Sequence, residues 1–153
     1  MSIRRLDHVS VVVEDLEAAI AFFAALGMTV AGRAPIEGEW VDRINGIEGI
    51  RVDIVMMKTP DGHGQLELTR FRNPPLVPLE PTVAPPNALG LRSIMFAVDS
   101  VDDTLARLRP HGGELMGDVV QYKEQYRLCY VRGPAGIIVA LAEALQPSTS
   151  DGP

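Results

Sequence analysis

The sequence predicts an α+β fold built from two tandem βαβββ modules. Three observations predict it. The chain resembles itself at one fixed offset, and each copy opens with a strand-like run followed by a capped amphipathic helix. Each copy also closes with two strand-like runs around a turn that contains proline and glycine.

The internal repeat is found when the chain is compared with itself at an offset of 85 positions. The register holds for about 27 residues without a gap. The residues that cap the two predicted helices coincide, Asp15 with Ser100, and so do the glycines just past them, Gly27 with Gly112. Self-similarity of this kind indicates two copies of one supersecondary unit.

Each copy begins with a short apolar run rich in β-branched residues, which predicts a strand. An acidic or hydroxyl residue then predicts the start of a helix. In the first copy, apolar residues at i, i+3, i+4 and i+7 predict a helix face that packs on a core. These residues are Leu16, Ala19, Ile20 and Phe23.

Three further strands are predicted after each helix. The second strand of each copy is predicted to be short, at residues 29–31 and 114–116. The last two strands flank a turn with a Pro-x-Gly pattern, Pro60 to Gly62 in the first copy and Pro134 to Gly136 in the second. The first copy has an additional stretch, residues 35–49, which is predicted to be an ordered surface loop.

Composition limits the possible partners and locations. The chain has 153 residues, 46% of them hydrophobic, and a formal net charge of −6. The acidic balance argues against a nucleic-acid partner, and no apolar run is long enough to span a membrane. The single cysteine, Cys129, excludes an internal disulfide and is predicted to be a buried small hydrophobe. A cytoplasmic protein is expected.

The predicted organisation is one domain covering residues 1–146. Module one spans about 4–72 and module two about 90–145. They are joined by a linker, residues 73–89, in which prolines are dense and a semi-rigid spacer is expected. The polar tail, residues 147–153, is predicted to be disordered.

Four motifs together resemble the vicinal-oxygen-chelate superfamily of glyoxalases, bleomycin resistance proteins and dioxygenases. They are Leu6-Asp7-His8-Val9, Gln65-Leu66-Glu67-Leu68, the run from Gly90 to Asp99 and the run from Arg132 to Val139. The match runs from about residue 4 to 145. The resemblance implies that the sheets of the two modules curl into a cup that holds a small substrate and a divalent metal. It also implies a homodimer as a frequent state.

The resemblance further implies that a histidine on the first strand and a glutamate on the fourth strand of each module bind the metal. In module one these are His8 and Glu67, a pair that suits Zn²⁺, Ni²⁺, Mn²⁺ or Fe²⁺. In module two the same positions hold Ser93 and Ala140, which are poor ligands. Glu143 is three residues beyond Ala140, so it is expected on the other face of its strand.

Further residues are candidates for contact with a substrate in the cup. Trp40 either pins the long loop or belongs to a lid over the cup. Tyr126 and Tyr130 have even spacing and are expected to share one strand face, and Glu124 is a candidate base or replacement ligand. The full set of cup candidates is Trp40, Ser93, Tyr122, Glu124, Tyr126 and Tyr130.

Three functions remain open from the sequence. The first is a metal-dependent lyase, isomerase or dioxygenase that acts on a small oxygenated molecule, with His8 and Glu67 as ligands and Glu67 or Glu124 as the base. The second is a metal-free protein that binds a small molecule, like the bleomycin-resistance branch. The third is a non-catalytic module that pairs with itself or another protein. The absent ligands favour the second, and the survival of His8 with Glu67 favours the first.

Overall fold

The computed structural model describes residues 2–145 of the chain. It confirms the α+β class, because the chain forms two four-stranded mixed sheets and its helices lie between their strands in sequence. The chain divides into two compact units between Leu79 and Glu80. The predicted tail, residues 147–153, lies outside the described residues. Within the described part of the chain, no helix is long and apolar enough to cross a membrane.

The first unit has the predicted βαβββ order, with one additional helix. Its elements are β1 Val9–Val12, α1 Leu16–Leu26, β2 Thr29–Glu37, α2 Glu39–Asn45, β3 Arg51–Lys58 and β4 Gln65–Asn73. The strand order across the sheet is β1-β4-β3-β2, with β1 parallel to β4 and the other neighbours antiparallel.

The described part of the second unit, up to residue 145, repeats this topology without the additional helix. Its elements are β5 Ser93–Ala97, α3 Val101–Leu108, β6 Glu114–Tyr122, β7 Tyr126–Arg132 and β8 Ile138–Ala144. The strand order is β5-β8-β7-β6, and again only the outer pair β5–β8 is parallel. Short 3₁₀ turns follow α3 and precede β8.

The predicted helix caps are present in both units. The Asp15 carboxylate accepts a hydrogen bond of 3.0 Å from the backbone N–H of Ala18. The Ser100 hydroxyl accepts one of 3.1 Å from the N–H of Asp103. Gly27 follows α1 with φ +123°, a conformation that favours glycine over any residue with a Cβ.

Two predictions about the first unit were wrong. β2 has nine residues rather than three, and the stretch 35–49 is the end of β2 followed by α2, not a loop. The reason is that this stretch carries its own apolar residues. Ile36 pairs with Val52 across β2 and β3, and Val41 of α2 is buried against the same region. In the second unit, β6 is likewise longer than the predicted 114–116.

The two faces of the first sheet have different roles. The face formed by Val55, Met57, Leu66 and Leu68 is buried, as are the phenylalanines Phe22 and Phe23 of α1. Because strand side chains alternate, the residues between these positions point to the opposite face. That face carries the candidate site at one end and is covered by α2 at the other. The cluster beneath α2 consists of Val41, Ile50 and Val52 with Ile36, Ile54 and Phe71 packed against it.

Candidate functional site

His8 and Glu67 converge on the open face of the first sheet. β1 runs parallel to β4 with Ser10 directly opposite Glu67, and His8 precedes Ser10 by two residues. All three side chains therefore share one face. His8 Nε2 lies 3.5 Å from Glu67 Oε2, and the two side chains are 34% and 23% exposed. The structure thus brings together the two residues that the sequence singled out.

The other nitrogen of the imidazole is held by a neighbouring carboxylate. His8 Nδ1 lies 2.8 Å from Asp7 Oδ2, and Arg5 donates a hydrogen bond of 2.7 Å to Asp7 Oδ1. The hydrogen bond with His8, and to a lesser extent the one with Arg5, holds the pKa of Asp7 below its usual range. An ionised carboxylate can only accept, so the contact assigns the proton to Nδ1. Nε2 accepts a hydrogen bond when the ring is neutral and donates toward Glu67 Oε2 when the ring is protonated.

The other oxygen of the Glu67 carboxylate is held by two hydroxyl groups. Ser10 Oγ and Thr69 Oγ1 each donate to Oε1 at 3.2 Å. Hydrogen bonds therefore hold Nδ1 of His8 and Oε1 of Glu67. The remaining atoms, Nε2 and Oε2, are turned toward each other. Asp7, Ser10 and Thr69 were not identified from the sequence. Ser10 and Thr69 could have been, because each lies two residues from His8 or Glu67 on the same strand face.

The second sheet shows what replaces this pair in the other module. Met95 lies opposite Ala140 in the parallel pair β5–β8, as Ser10 lies opposite Glu67 in β1–β4. Ser93 precedes Met95 by two residues, as His8 precedes Ser10. The strand register therefore places Ser93 and Ala140 at the positions equivalent to His8 and Glu67.

Glu143 does not substitute for the absent glutamate. Its carboxylate accepts a hydrogen bond of 2.7 Å from the backbone N–H of Val101, the first residue of α3. It therefore lies on the helix side of the sheet, as the odd spacing from Ala140 predicts. Its role there is to stabilise the start of the helix.

The donor set does not by itself fit a resident metal. Two ligands bound at about 2.1 Å in a tetrahedral or octahedral site lie roughly 3.0–3.4 Å apart, close to the observed separation of Nε2 and Oε2. Structural and catalytic sites, however, use three or four protein ligands. Within residues 2–145, no group of three or more His, Cys, Asp or Glu side chains is placed to hold a metal ion.

The open face of the second sheet is apolar and aromatic instead. Tyr130 lies opposite Ala140 on β8, and Tyr126 lies opposite Ala144. Tyr126 and Tyr130 remain 43% and 40% exposed, and Met95, on the other side of Ala140, is exposed as well. The predicted sharing of one face by the two tyrosines follows from this register.

Tyr122 and Glu124 lie at one end of this face. Tyr122 pairs with Tyr126 across β6 and β7, and the turn between them is closed by a hydrogen bond from Gln125 N–H to the Tyr122 carbonyl. The Lys123 ammonium lies 5.4 Å from the centre of the Tyr122 ring. Glu124 is exposed in this turn. Its assignment as a base or ligand stays a prediction.

Trp40 lies on α2, whose inner side covers part of the open face of the first sheet. The tryptophan side chain is 61% exposed and lies against Gly38, 3.5 Å from the position that a Cβ on that glycine would occupy. The contact of the ring with the turn before α2 is compatible with a role of Trp40 in fixing this segment. The position of α2 over the same sheet face as Glu67 is compatible with a lid, and both roles stay predictions.

A separate depression of about 490 Å³ lies beside α2. It is lined by Glu37, Gly38, Asp42, Gly49, Ile50, Arg51 and Asn73. The Asp42 carboxylate accepts hydrogen bonds of 2.9 Å from the N–H groups of Gly49 and Ile50, and the Asn73 amide donates to the Gly49 carbonyl at 2.7 Å. These contacts show that Asp42 and Asn73 support the chain turn between α2 and β3.

Comparison with known proteins identifies the family. The family model described as the glyoxalase/bleomycin resistance protein/dioxygenase superfamily matches residues 5–141. The chain therefore belongs to this superfamily, as its motifs predicted. No match was found among curated proteins.

Solved structures agree with this assignment. A glyoxalase family protein from Bacillus cereus is 49% identical, with a TM-score of 0.90 over 95% of this chain and 97% of that one. Two more distant structures share the fold. An antibiotic-binding protein, TnmS3 from a Streptomyces species, is 22% identical with a TM-score of 0.58 over 94% and 98% of the two chains. The trypanothione-dependent glyoxalase I of Leishmania major is 20% identical with a TM-score of 0.60 over 92% and 87%.

Proposed function

We propose that this protein binds a small molecule with an aromatic or amphipathic part, without a resident metal. The observation that carries the proposal is the presence of Ala140 at the position equivalent to Glu67. With Ser93 at the position equivalent to His8, the second module has no metal donor at either place. The antibiotic-binding neighbour shares this fold, so the fold is compatible with binding as the whole activity.

The chemistry of the second sheet supports the aromatic part of the proposal. Tyr126 and Tyr130 lie opposite alanines and are both exposed residues. A planar ligand could stack on such rings, each contact contributing about 0.5–1.5 kcal/mol beyond the apolar area buried. Met95 adds a polarizable side chain that adapts to ligand shape. Ser93, Tyr122 and Trp40 remain candidates for further contacts.

The test is a screen of aromatic and amphipathic compounds by thermal shift, followed by calorimetric titration of any hit. Tyr130→Ala should weaken a true ligand about tenfold, equivalent to ~1.4 kcal/mol. Tyr130→Phe keeps the ring and is the matched control, so it should bind nearly as the wild type does. Equal affinity for the wild-type protein and Tyr130→Ala would show that this face of the second sheet does not contact the ligand.

A second candidate is a metal-dependent enzyme of the glyoxalase or dioxygenase type, with His8 and Glu67 as ligands and Glu67 as the base. One observation favours it: Nε2 and Oε2 converge, while Asp7 holds the imidazole as carboxylates hold metal-binding histidines elsewhere. Mass spectrometry of protein purified without chelator or affinity tag tests it. Near-stoichiometric Zn, Ni, Mn or Fe that is lost in His8→Ala would support the enzyme. Metal-free protein that is not stabilised by these ions would exclude it.

The proposal also includes a location in the cytoplasm and assembly into a homodimer. A buried, unpaired Cys129 is compatible with the reducing cytoplasm. Exposed aliphatic residues, such as Leu79 at the end of the first unit and Leu89 and Leu91 in the second, offer apolar surface for a homodimer. Light scattering coupled to gel filtration would measure the mass in solution and decide between monomer and dimer.

A further inference from the structure

We propose that α2 pairs with α2 of a second copy of the chain, antiparallel and across a two-fold axis. The inference rests on the homodimer included in the proposed function and names the surface that forms it. Two properties of α2 carry it. One side of the helix exposes large apolar side chains, and the charges beside them are complementary to those of a second copy.

The apolar side of α2 is open to solvent. Trp40 and Ile44 are about one helical turn apart, so their side chains lie on the same side of the helix. The exposed fractions of these two residues are 61% and 77%. Ile47, which follows the helix and has its N–H bonded to the carbonyl of Asp42 at 3.2 Å, is 43% exposed. Large apolar residues exposed at adjoining positions indicate an interaction site.

Other residues hold α2 in place, so its apolar side is displayed on a fixed element. Val41 is 6% exposed and packs in one cluster with Ile50 and Val52. The Asp42 carboxylate accepts two hydrogen bonds of 2.9 Å from backbone N–H groups of the chain that follows the helix. The two most exposed apolar residues of α2 take no part in these contacts and are available to a partner.

The charges beside the apolar surface favour a second copy as the partner. Glu39 and Arg43 are exposed, and neither has an ion-pair partner among residues 2–145. Arg43 is three residues from Trp40 and therefore lies on the same side of the helix. One of the two charged residues is acidic and the other is basic, so a second copy supplies the opposite charge for each. The surface is complementary to itself.

Two-fold symmetry determines which residues meet. In an antiparallel pair centred on the middle of α2, Trp40 lies level with Ile44 of the second copy, and the same contact forms again at the other end. Glu39 and Arg43 flank this contact on one side of the pair, so Glu39 lies near Arg43 of the second copy. The symmetry therefore forms the apolar contact twice and the ion pair twice.

The size of the surface predicts a weak dimer. α2 has seven residues, about two helical turns, and covers less than the roughly 800 Å² that each partner contributes to a standard interface. The dimer is therefore expected to dissociate on dilution. Trp40 is the single tryptophan of the chain, so the tryptophan fluorescence reports on this surface alone.

The first experiment follows mass and fluorescence together. Light scattering of the full chain should give the mass of a dimer at about 100 µM, and dilution to about 1 µM should give the monomer. The emission of Trp40 should move to longer wavelength with the same midpoint. A monomer at about 100 µM, or dissociation without a change in emission, would overturn the proposal. Emission that responds to a compound from the ligand screen, and not to protein concentration, would mean that α2 contacts the ligand instead.

Matched variants distinguish α2 from the other exposed apolar surface. Ile44→Ser should raise the dissociation constant of the dimer at least about tenfold, and its stability in urea should be unchanged because the residue is exposed. Leu89→Ser, at a residue 99% exposed in the second unit, is the control and should dimerise as the wild type does. A dimer lost in Leu89→Ser but kept in Ile44→Ser would overturn α2 as the surface and leave the homodimer intact. Ligand binding is tested separately through Tyr130→Ala.

Reversal of the two charges tests the antiparallel arrangement. Glu39→Arg and Arg43→Glu each place like charges together twice in the dimer, and each should weaken it at least about tenfold. The double variant restores opposite charges and should dimerise within about threefold of the wild type. A double variant as weak as the single ones would mean that the two residues do not meet across the axis, and the proposed pairing would be wrong.

Discussion

Ala140 occupies in the second sheet the position that Glu67 occupies in the first. The register shows this directly, since Met95 lies opposite Ala140 and Ser10 lies opposite Glu67 in the two parallel pairs. Ala140 is fully buried, whereas Glu67 keeps part of its surface exposed. The two modules therefore share a strand topology but differ in chemistry, one having a histidine–glutamate pair and the other an aromatic face.

The assignment of the two faces of the first sheet predicts a sharp contrast between substitutions on its adjacent strands β4 and β1. Leu68 is fully buried on the face toward the core, so Leu68→Ala should lower the free energy of unfolding by about 2–5 kcal/mol. Val12 is 45% exposed on the opposite face, so Val12→Ala should change it by less than about 0.5 kcal/mol. Urea denaturation measures both. Equal losses would mean that the open face is part of the core.

The repeat explains why so much of the fold could be predicted from the sequence. Caps, amphipathic spacing and turn glycines are local signals, and each occurs twice, so Asp15 and Ser100 support each other's assignment. The extension of β2 and the helix α2 occur in one copy only and have no such support. They depend on the tertiary contact of Val41 with Ile50 and Val52, which local patterns do not reveal.

Only part of the candidate site could be predicted from the sequence. His8 and Glu67 were recognised through motif resemblance, and strand parity placed them on one face. Their partners Ser10 and Thr69 are ordinary polar residues with no motif of their own, and Asp7 lies in the motif of His8 without a role predicted for it. The contact of Ser10 with Glu67 depends on the parallel pairing of β1 with β4, which joins positions that lie far apart in sequence.

The contact between Glu143 and Val101 predicts that Glu143 stabilises the start of α3. It accepts the Val101 N–H at 2.7 Å in a partly buried position, in addition to the cap formed by Ser100. Glu143→Ala should lower the free energy of unfolding by about 1 kcal/mol, through the lost hydrogen bond and the lost interaction with the helix dipole. Thermal and urea denaturation measure the loss. Glu124→Ala, in the exposed β6–β7 turn, is the charge-matched control and should have little effect.

Gly136 and Gly62 are matched turn glycines that should respond differently to alanine. Both have positive φ, 74° and 78°, so each alanine would incur about 1 kcal/mol of backbone strain. At Gly62 a Cβ would meet open space, whereas at Gly136 it would lie 2.9 Å from the carbonyl oxygen of Thr82. Gly136→Ala should therefore be destabilising by at least 1 kcal/mol more, or about 2–3 kcal/mol in total. Similar midpoints for the two variants in urea would show that the segment around Thr82 is not packed on this turn.

The pair formed by Asp102 and Arg127 predicts a pH-dependent contribution to stability. Arg127 donates two hydrogen bonds, of 2.8 and 3.1 Å, to the two carboxylate oxygens, and these bonds hold the pKa of Asp102 below its usual value of 3.8. A carboxyl whose pKa is lower in the folded state contributes stability above its unfolded pKa and loses that contribution as the pH falls through its folded pKa. The difference in unfolding free energy between wild type and Asp102→Asn should therefore be constant near neutral pH and shrink below about pH 4.

Denaturation in urea between about pH 2 and pH 7 measures this difference. The pair is exposed, so added salt should reduce its contribution at neutral pH. Glu17→Gln, which removes an exposed ion pair with Arg33 in the other unit, is the control for general charge effects. A difference that grows as the pH falls would mean that the folded state raises the pKa of Asp102, and that the bidentate contact does not form in solution.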